Sequence, residues 1–182
     1  MKTPLRLKIF LYYYKVLYRK LNINPLVKIS SSGKGIKKLL YFLPSEREQA
    51  QIIAYLIKRN YSDDSFQFRY VFHEKSLMYY QNIPLSKVIT FNDNDINWLG
   101  VLSSKFNETI LGETDFDALV DLNMRIDQPL SLYSIHLKIP IKIGFQSPIS
   151  HQLFSIVLEP SEDNFKENSY MLIDRILGTI SN

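Results

Sequence analysis

The chain has 182 residues, 46% of them hydrophobic and 22% charged, which suits one globular domain that buries about 70% of its unfolded surface. It contains no cysteine, which excludes disulfides, thiolate metal sites and cysteine nucleophiles, and its three histidines, His73, His136 and His151, have no metal-ligand spacing. The net charge of +4 is unevenly spread: residues 1–45 hold ten Lys or Arg and no acid, leaving 12 basic against 18 acidic residues in the rest. A basic surface-binding element therefore precedes a mildly acidic body.

The first element, "TPLRLKIFLYYYKVLYRKLN", reads as a helix, with Thr3 as cap and Pro4 at the first helical position. Leu7, Phe10, Leu11, Tyr14, Leu17, Tyr18 and Leu21 repeat at helical spacing and form one apolar stripe. Lys2, Arg6, Lys8, Lys15, Arg19 and Lys20 lie outside it and are the candidate residues for binding a surface or membrane. Five charges between Arg6 and Lys20 make the segment too polar for a membrane span, which needs about 20 mostly apolar residues. It also lacks the small-residue cleavage site of a signal peptide. "NPLVKISSSGKG" reads as a linker, so residues 1–35 form helix plus linker and residues 36–182 a single domain.

From Lys37 the pattern is α/β. "KKLLYFL" is a continuous apolar run, as expected of a strand covered on both faces, and Pro44 stops it. Ser45 and Glu48 have capping-box spacing for a helix to about Asn60, with Ile52, Ile53, Leu56 and Ile57 facing inward. "FQFRYVF" is a second strand, followed by a short helix through about Tyr80, and "KVITF" is a third. Residues 92–95, Asn-Asp-Asn-Asp, predict a turn and the cap of a helix containing Trp98 and Leu102. "DALVDL" is a fourth strand, with a helix over Gln128–Leu137 after it. "PIKIGF", ended by Gly144, is a fifth strand and "LFSIVL" a sixth. A last helix follows Pro160, with Phe165, Leu172, Ile173, Ile176 and Ile180 as its stripe. Strands alternating with helices imply a doubly wound, mainly parallel, Rossmann-like sheet of about six strands.

The motifs exclude more than they assign. Gly33-Lys34-Gly35 precedes the first strand and lacks the spacing of a phosphate loop. Neither G-x-G-x-x-G nor G-x-S-x-G occurs, so a dinucleotide fingerprint and a nucleophile elbow are absent. The informative stretch is "DALVDLNMR", where an apolar strand ends in Asp121, Asn123 and Arg125, at the sheet edge where α/β proteins bind ligands. With Ser45 and Gln146, these three are the candidate ligand-binding residues. For Asp121 the plain alternative carries equal weight: a polar group satisfied by neighbouring backbone amides. Asp115 and Asp117 precede the strand and are expected to cap or solvate a loop.

"FDALVDLN" together with "IPIKIGF" resembles the N-terminal Rossmann-like half of the lipopolysaccharide heptosyltransferase family, which has the two-domain GT-B fold. The matching residues are Phe116, Asp117, Asp121, Leu122, Ile143, Gly144 and Phe145, and the likeness covers residues 36–158. It extends to a group of short bacterial proteins that share this half alone. The resemblance implies a general-base Asp in a Gly-Asp pair after the first strand and a donor-binding second domain. Here "FLPSEREQA" has no Gly-Asp, and one helix's worth of chain follows Pro160. Glycosyl transfer needs a positioned donor as well as a base, so the sequence points away from catalysis.

The sequence thus reads as a non-catalytic binding or scaffold protein derived from a glycosyltransferase acceptor domain, with no cofactor and no metal. It is expected in the cytoplasm, at the inner face of the cytoplasmic membrane where its basic helix meets an anionic surface, or paired with a protein partner or a second copy through that helix. A glycosyltransferase subunit completed by a separate donor-binding chain is the first alternative. An RNA-associated protein is the second, disfavoured because the aromatic residues occupy the apolar stripe.

Overall fold

Alternating apolar runs and helical stripes fold into one parallel sheet in a computed structural model that describes residues 5–17, 36–59, 66–103, 106, 116–160 and 166–177. The strands are β1 (Lys38–Phe42), β2 (Gln67–His73), β3 (Val88–Phe91), β4 (Ala118–Asp121), β5 (Ile141–Phe145) and β6 (Ile156–Leu158). Their order is β3-β2-β1-β4-β5-β6, and every pairing is parallel. The α-helices are α1 (Leu5–Leu17), α2 (Arg47–Arg59), α3 (Gln128–Tyr133), α4 (Ser150–Leu153) and α5 (Lys166–Leu177).

Strand periodicity sends alternate residues to opposite faces. On one face, Leu39 and Tyr41 of β1, Phe68, Tyr70 and Phe72 of β2, Val120 of β4 and Ile143 of β5 pack under α2 and α5. Ala50, Ile53 and Ile57 come from α2, and Tyr170, Ile173 and Leu177 from α5. On the other face, Leu40, Phe42, Val71 and Leu119 pack with Phe106 and with Leu130 and Tyr133 of α3. The central strands are therefore buried on both sides, which is why they read as unbroken apolar runs.

Helix α1 packs on the same body. Its Leu7, Phe10 and Leu11 join Val101, Leu132, Ile149, Leu153 and Phe154 in a third buried cluster. Burying each such side chain contributes about 1.5–3 kcal/mol, so the first half of the expected stripe is structural. Tyr18 and Leu21, and the side chains of Tyr14 and Leu17, lie outside the described residues.

Several local expectations are corrected. Ser45 does not cap α2: its hydroxyl has no hydrogen-bond partner, and the helix begins one residue late, with the Ala50 N–H donating to the Glu46 carbonyl. The segment after β2 forms a 3-10 turn at Glu74–Ser76 and further turns before Pro84, which cannot continue a helix. Asn92 does cap, through a capping box with Asp95, but over the 3-10 turn Asp93–Asp95. Trp98 and Leu102 lie on no helix; Ile96 and Leu102 form an antiparallel bridge around a turn. Helix α3 ends at Tyr133, after which Ile135, His136 and Leu137 make tighter i→i+3 bonds. Residues 150–153 are helical, started by reciprocal bonds between Ser147 and Ser150, so β6 begins only at Ile156. In α5 the inward residues are Tyr170, Ile173 and Leu177, whereas Leu172 is exposed. Asp117 does precede β4 and caps backbone N–H groups, those of Lys37 and Lys38, which ties the start of β4 to β1.

Gly144 lies inside β5 and does not end it. A Cβ at this position would overlap the ring of Phe154, so the absence of a side chain lets the phenyl group lie directly on the strand.

Candidate functional site

From β1 the chain builds β2 and β3 on one side, then returns to lay β4 on the other side of β1. The carboxyl ends of β1 and β4 therefore form the topological switch point, the crevice where doubly wound sheets of this strand order take their ligands. Residues 43–50 arrive there from β1 and residues 122–125 from β4.

Protein groups fill this crevice. Gln49, buried in the first turn of α2, donates through Nε2 to the Glu46 carboxylate and accepts the Met124 N–H at 3.1 Å. Tyr80 reaches in from beyond β2 and donates its hydroxyl to the Pro44 carbonyl at 2.7 Å. Tyr170 of α5 donates to the Leu122 carbonyl at 3.3 Å. Burial pushes the Tyr80 phenol far above its ordinary range, so it remains a neutral donor.

Asp121, the last residue of β4, is fully buried on the α3 face. One carboxylate oxygen accepts the Asn123 backbone N–H at 3.0 Å and its side-chain amide at 2.7 Å. The other accepts the Ser131 hydroxyl at 2.6 Å. Desolvation raises its pKa to about 6, against the lowering effect of those three donors. Asp121 and Asn123 are thus brought together, but they satisfy one another and clamp α3 to the sheet edge.

Ser45 belongs to the same crevice, in the loop after β1, and its hydroxyl is buried with no hydrogen-bond partner, as are those of Ser76 and Ser147. Arg125 stands exposed two residues beyond Asn123. Gln146 is exposed after β5, its backbone N–H bonded to the Leu158 carbonyl, and is not part of the β1–β4 crevice. Of the basic candidates, Arg6 and Lys8 are exposed on α1. Lys15 lies in α1 with its side chain outside the described residues, as are Lys2, Arg19 and Lys20 altogether.

The crevice is ill suited to a phosphate or nucleotide. The β1–α2 connection, "LPSEREQA", has no glycine to admit a phosphate against the backbone. Glu46 and Glu48 also place negative charge at the α2 N-terminus, where a bound anion would need positive potential. Among the described residues no group of three or more His, Cys, Asp or Glu could hold a metal ion. A concavity of about 360 Å³ lies elsewhere, beside α5 and lined by Glu159, Ser169, Leu172 and Arg175 among others.

Three features escaped the sequence reading. Lys142 of β5 is buried, and its ammonium donates to the Ser134 carbonyl at 2.7 Å, at the C-terminal end of α3. Burial lowers its pKa to about 8. A lone lysine inside a strand covered on both faces was the available signal. His73 accepts the Lys75 N–H through Nδ1, so its Nε2–H donates to Asp93 at 3.1 Å. Asp93 also takes the Lys75 ammonium, and hydrogen bonds from Lys75 and then His73 hold its carboxyl below the usual range. The third is a second apolar stripe on α1: Leu5, Ile9, Tyr12, Tyr13 and Val16 are all exposed. Their spacing, i, i+4, i+7, i+8 and i+11, was there to be read.

Over residues 17–174 the chain matches the profile of DUF6913, a family of unknown function. The chain belongs to that family. No curated protein and no solved structure matches it significantly. The DUF6913 span takes in all six strands and the filled crevice, and it begins at the last residue of α1. All of α1 except its last residue therefore lies ahead of the matched span.

Proposed function

We propose that the chain is a non-catalytic binding protein that docks on an anionic membrane surface through the outer face of α1. The observation that carries this reading is the two-sidedness of that helix. Its inner stripe is buried on the domain, yet Leu5 and Tyr12 are 73% and 70% exposed, and Ile9, Tyr13 and Val16 at least half exposed. At 3.6 residues per turn these five side chains share an arc of about 100°. Arg6 flanks the arc on one side and Lys8 on the other, and neither α1 nor residues 1–45 as a whole contain an acid.

An apolar arc of this kind on a folded surface marks an interaction site. Cations at both margins and tyrosines within it suit the headgroup layer, where phenol rings keep one end wet and the other dry. Each Lys or Arg near an anionic leaflet adds about 1 kcal/mol. Among the described residues no helix is long and apolar enough to cross a membrane, so the contact would lie along the surface. The likeness of "FDALVDLN" to a glycosyltransferase acceptor domain supports descent from such a fold. The hydrogen bonds of Gln49 to Glu46 and of Asn123 to Asp121 support loss of its chemistry.

Flotation of the intact chain with phosphatidylserine-containing and with purely zwitterionic vesicles tests the reading. Co-flotation with the anionic vesicles alone, reversed by salt through screening, is the expected result. A chain that stays at the bottom of the gradient with both vesicle types overturns it, and a dimer formed through α1 would then be the occupant of the arc.

A further inference from the structure

Among the described residues Trp98 is the most exposed large hydrophobic side chain, at 81%, and it is displayed by a turn whose shape is fixed from within. Ile96 and Leu102 bridge the base of that turn. The Asn97 N–H donates to the Val101 carbonyl at 2.8 Å, and the Gly100 N–H to the Asn97 carbonyl at 2.9 Å. The Asn97 side-chain oxygen accepts the N–H groups of Leu99 and Val101. Gly100 closes the loop with φ 79°, a left-handed conformation that a side chain would strain. With Val101 and Leu102 buried and Leu99 half-buried, the one bulky group left outside is the indole.

This turn adjoins α1. Leu99 and Val101 belong to the same apolar cluster as Leu7, Phe10 and Leu11, so residues next to Trp98 in the chain pack with the helix's inner stripe. Of the two carboxylates just before the turn, Asp93 is paired with the Lys75 ammonium and with His73, and Asp95 accepts the Asn92 N–H. An indole held outward on a preformed turn that packs with α1 matches what lipid interfaces select, since tryptophan concentrates at the headgroup level.

We propose that Trp98 is a second membrane anchor, which inserts beside α1 and fixes the orientation of the domain on an anionic bilayer. The proposal rests on the membrane reading of α1 and adds a defined contact from a different part of the chain. A helix alone leaves the protein free to roll about its axis; a second anchor removes that freedom. Because the turn is already formed, inserting the indole orders little chain on binding.

Trp98 is the sole tryptophan, so its emission reports its own environment. The experiment adds phosphatidylserine-containing vesicles to the intact chain, records tryptophan emission, repeats it with brominated lipids, and measures partitioning of Trp98→Ala beside the wild type. The expected result is a blue shift on binding, quenching by the brominated acyl chains, and about tenfold weaker partitioning of the variant at an unchanged melting temperature. Flotation of the wild type with no change in emission would overturn the anchor while leaving α1 docking intact. A wild type that does not float overturns both. A blue shift that appears without lipid and grows with protein concentration would assign the indole to a second copy instead.

Discussion

Gln49 and Met124 face each other across the switch point of the sheet, and the Met124 N–H donates to the Gln49 side chain at 3.1 Å. This bond joins the first turn of α2 to the loop after β4, at the place where related sheets admit a ligand. Replacing Gln49 with Ala removes the acceptor of a part-buried N–H and the donor to Glu46. The expected cost is about 1–3 kcal/mol by chemical denaturation, with faster hydrogen exchange at the Met124 amide. An unchanged denaturation midpoint would mean that the crevice is not held shut by this side chain.

Asp121 and Lys142 make opposite contributions to the pH dependence of stability. The folded pKa of Asp121 is raised from 3.8 to about 6, so its contribution is full below 3.8 and is lost as pH rises through about 6. That of Lys142 is lowered from 10.5 to about 8, so its contribution is full above 10.5 and is lost as pH falls through about 8. Both are at their weakest between these two folded values. Asp121→Asn should flatten the fall in stability from pH 4 to 6, and Lys142→Met the rise from pH 8 to 10, each followed by urea denaturation across that range. Asp121→Ala differs from the amide: it strands the buried donors of Asn123 and Ser131, at about 1–3 kcal/mol for each group.

Gly144→Ala places a methyl group into the ring of Phe154. Overpacking of this kind costs about 1–3 kcal/mol. Shortening the ring in the double variant with Phe154→Leu should recover part of that loss, which a thermodynamic cycle on the four proteins would measure. Purely additive effects would show that the glycine is needed for another reason.

The sheet was legible because its signals are local. "KKLLYFL", "DALVDL" and "PIKIGF" are short apolar runs between turn residues, and each became a strand between buried faces. The helix expected around Trp98 failed because Asn97 folds its side chain onto the backbone and Gly100 takes a left-handed turn, two events that composition alone does not rank. Asp121 read equally well as a ligand group or as a self-satisfied one. Its bond from Ser131 comes from ten residues later and another element, which no local pattern shows. The pairing of Gly144 with Phe154 is likewise a contact between elements. In α1 the first stripe found, through Leu7, Phe10 and Leu11, was the one the fold buries. The opposite stripe went unread because tyrosine counts as apolar or polar according to what faces it.

The most direct test of the account compares the two faces of α1 in one assay. Partitioning onto phosphatidylserine-containing vesicles is measured for the wild type and for the outer-face variant Ile9→Asp/Tyr12→Asp, both carried through a thermal melt. Both positions are exposed, so the melt should be unchanged. The account predicts that the variant partitions more weakly by about tenfold or more, having lost apolar contact and gained two negative charges. Equal partitioning of the two proteins at equal stability would contradict it.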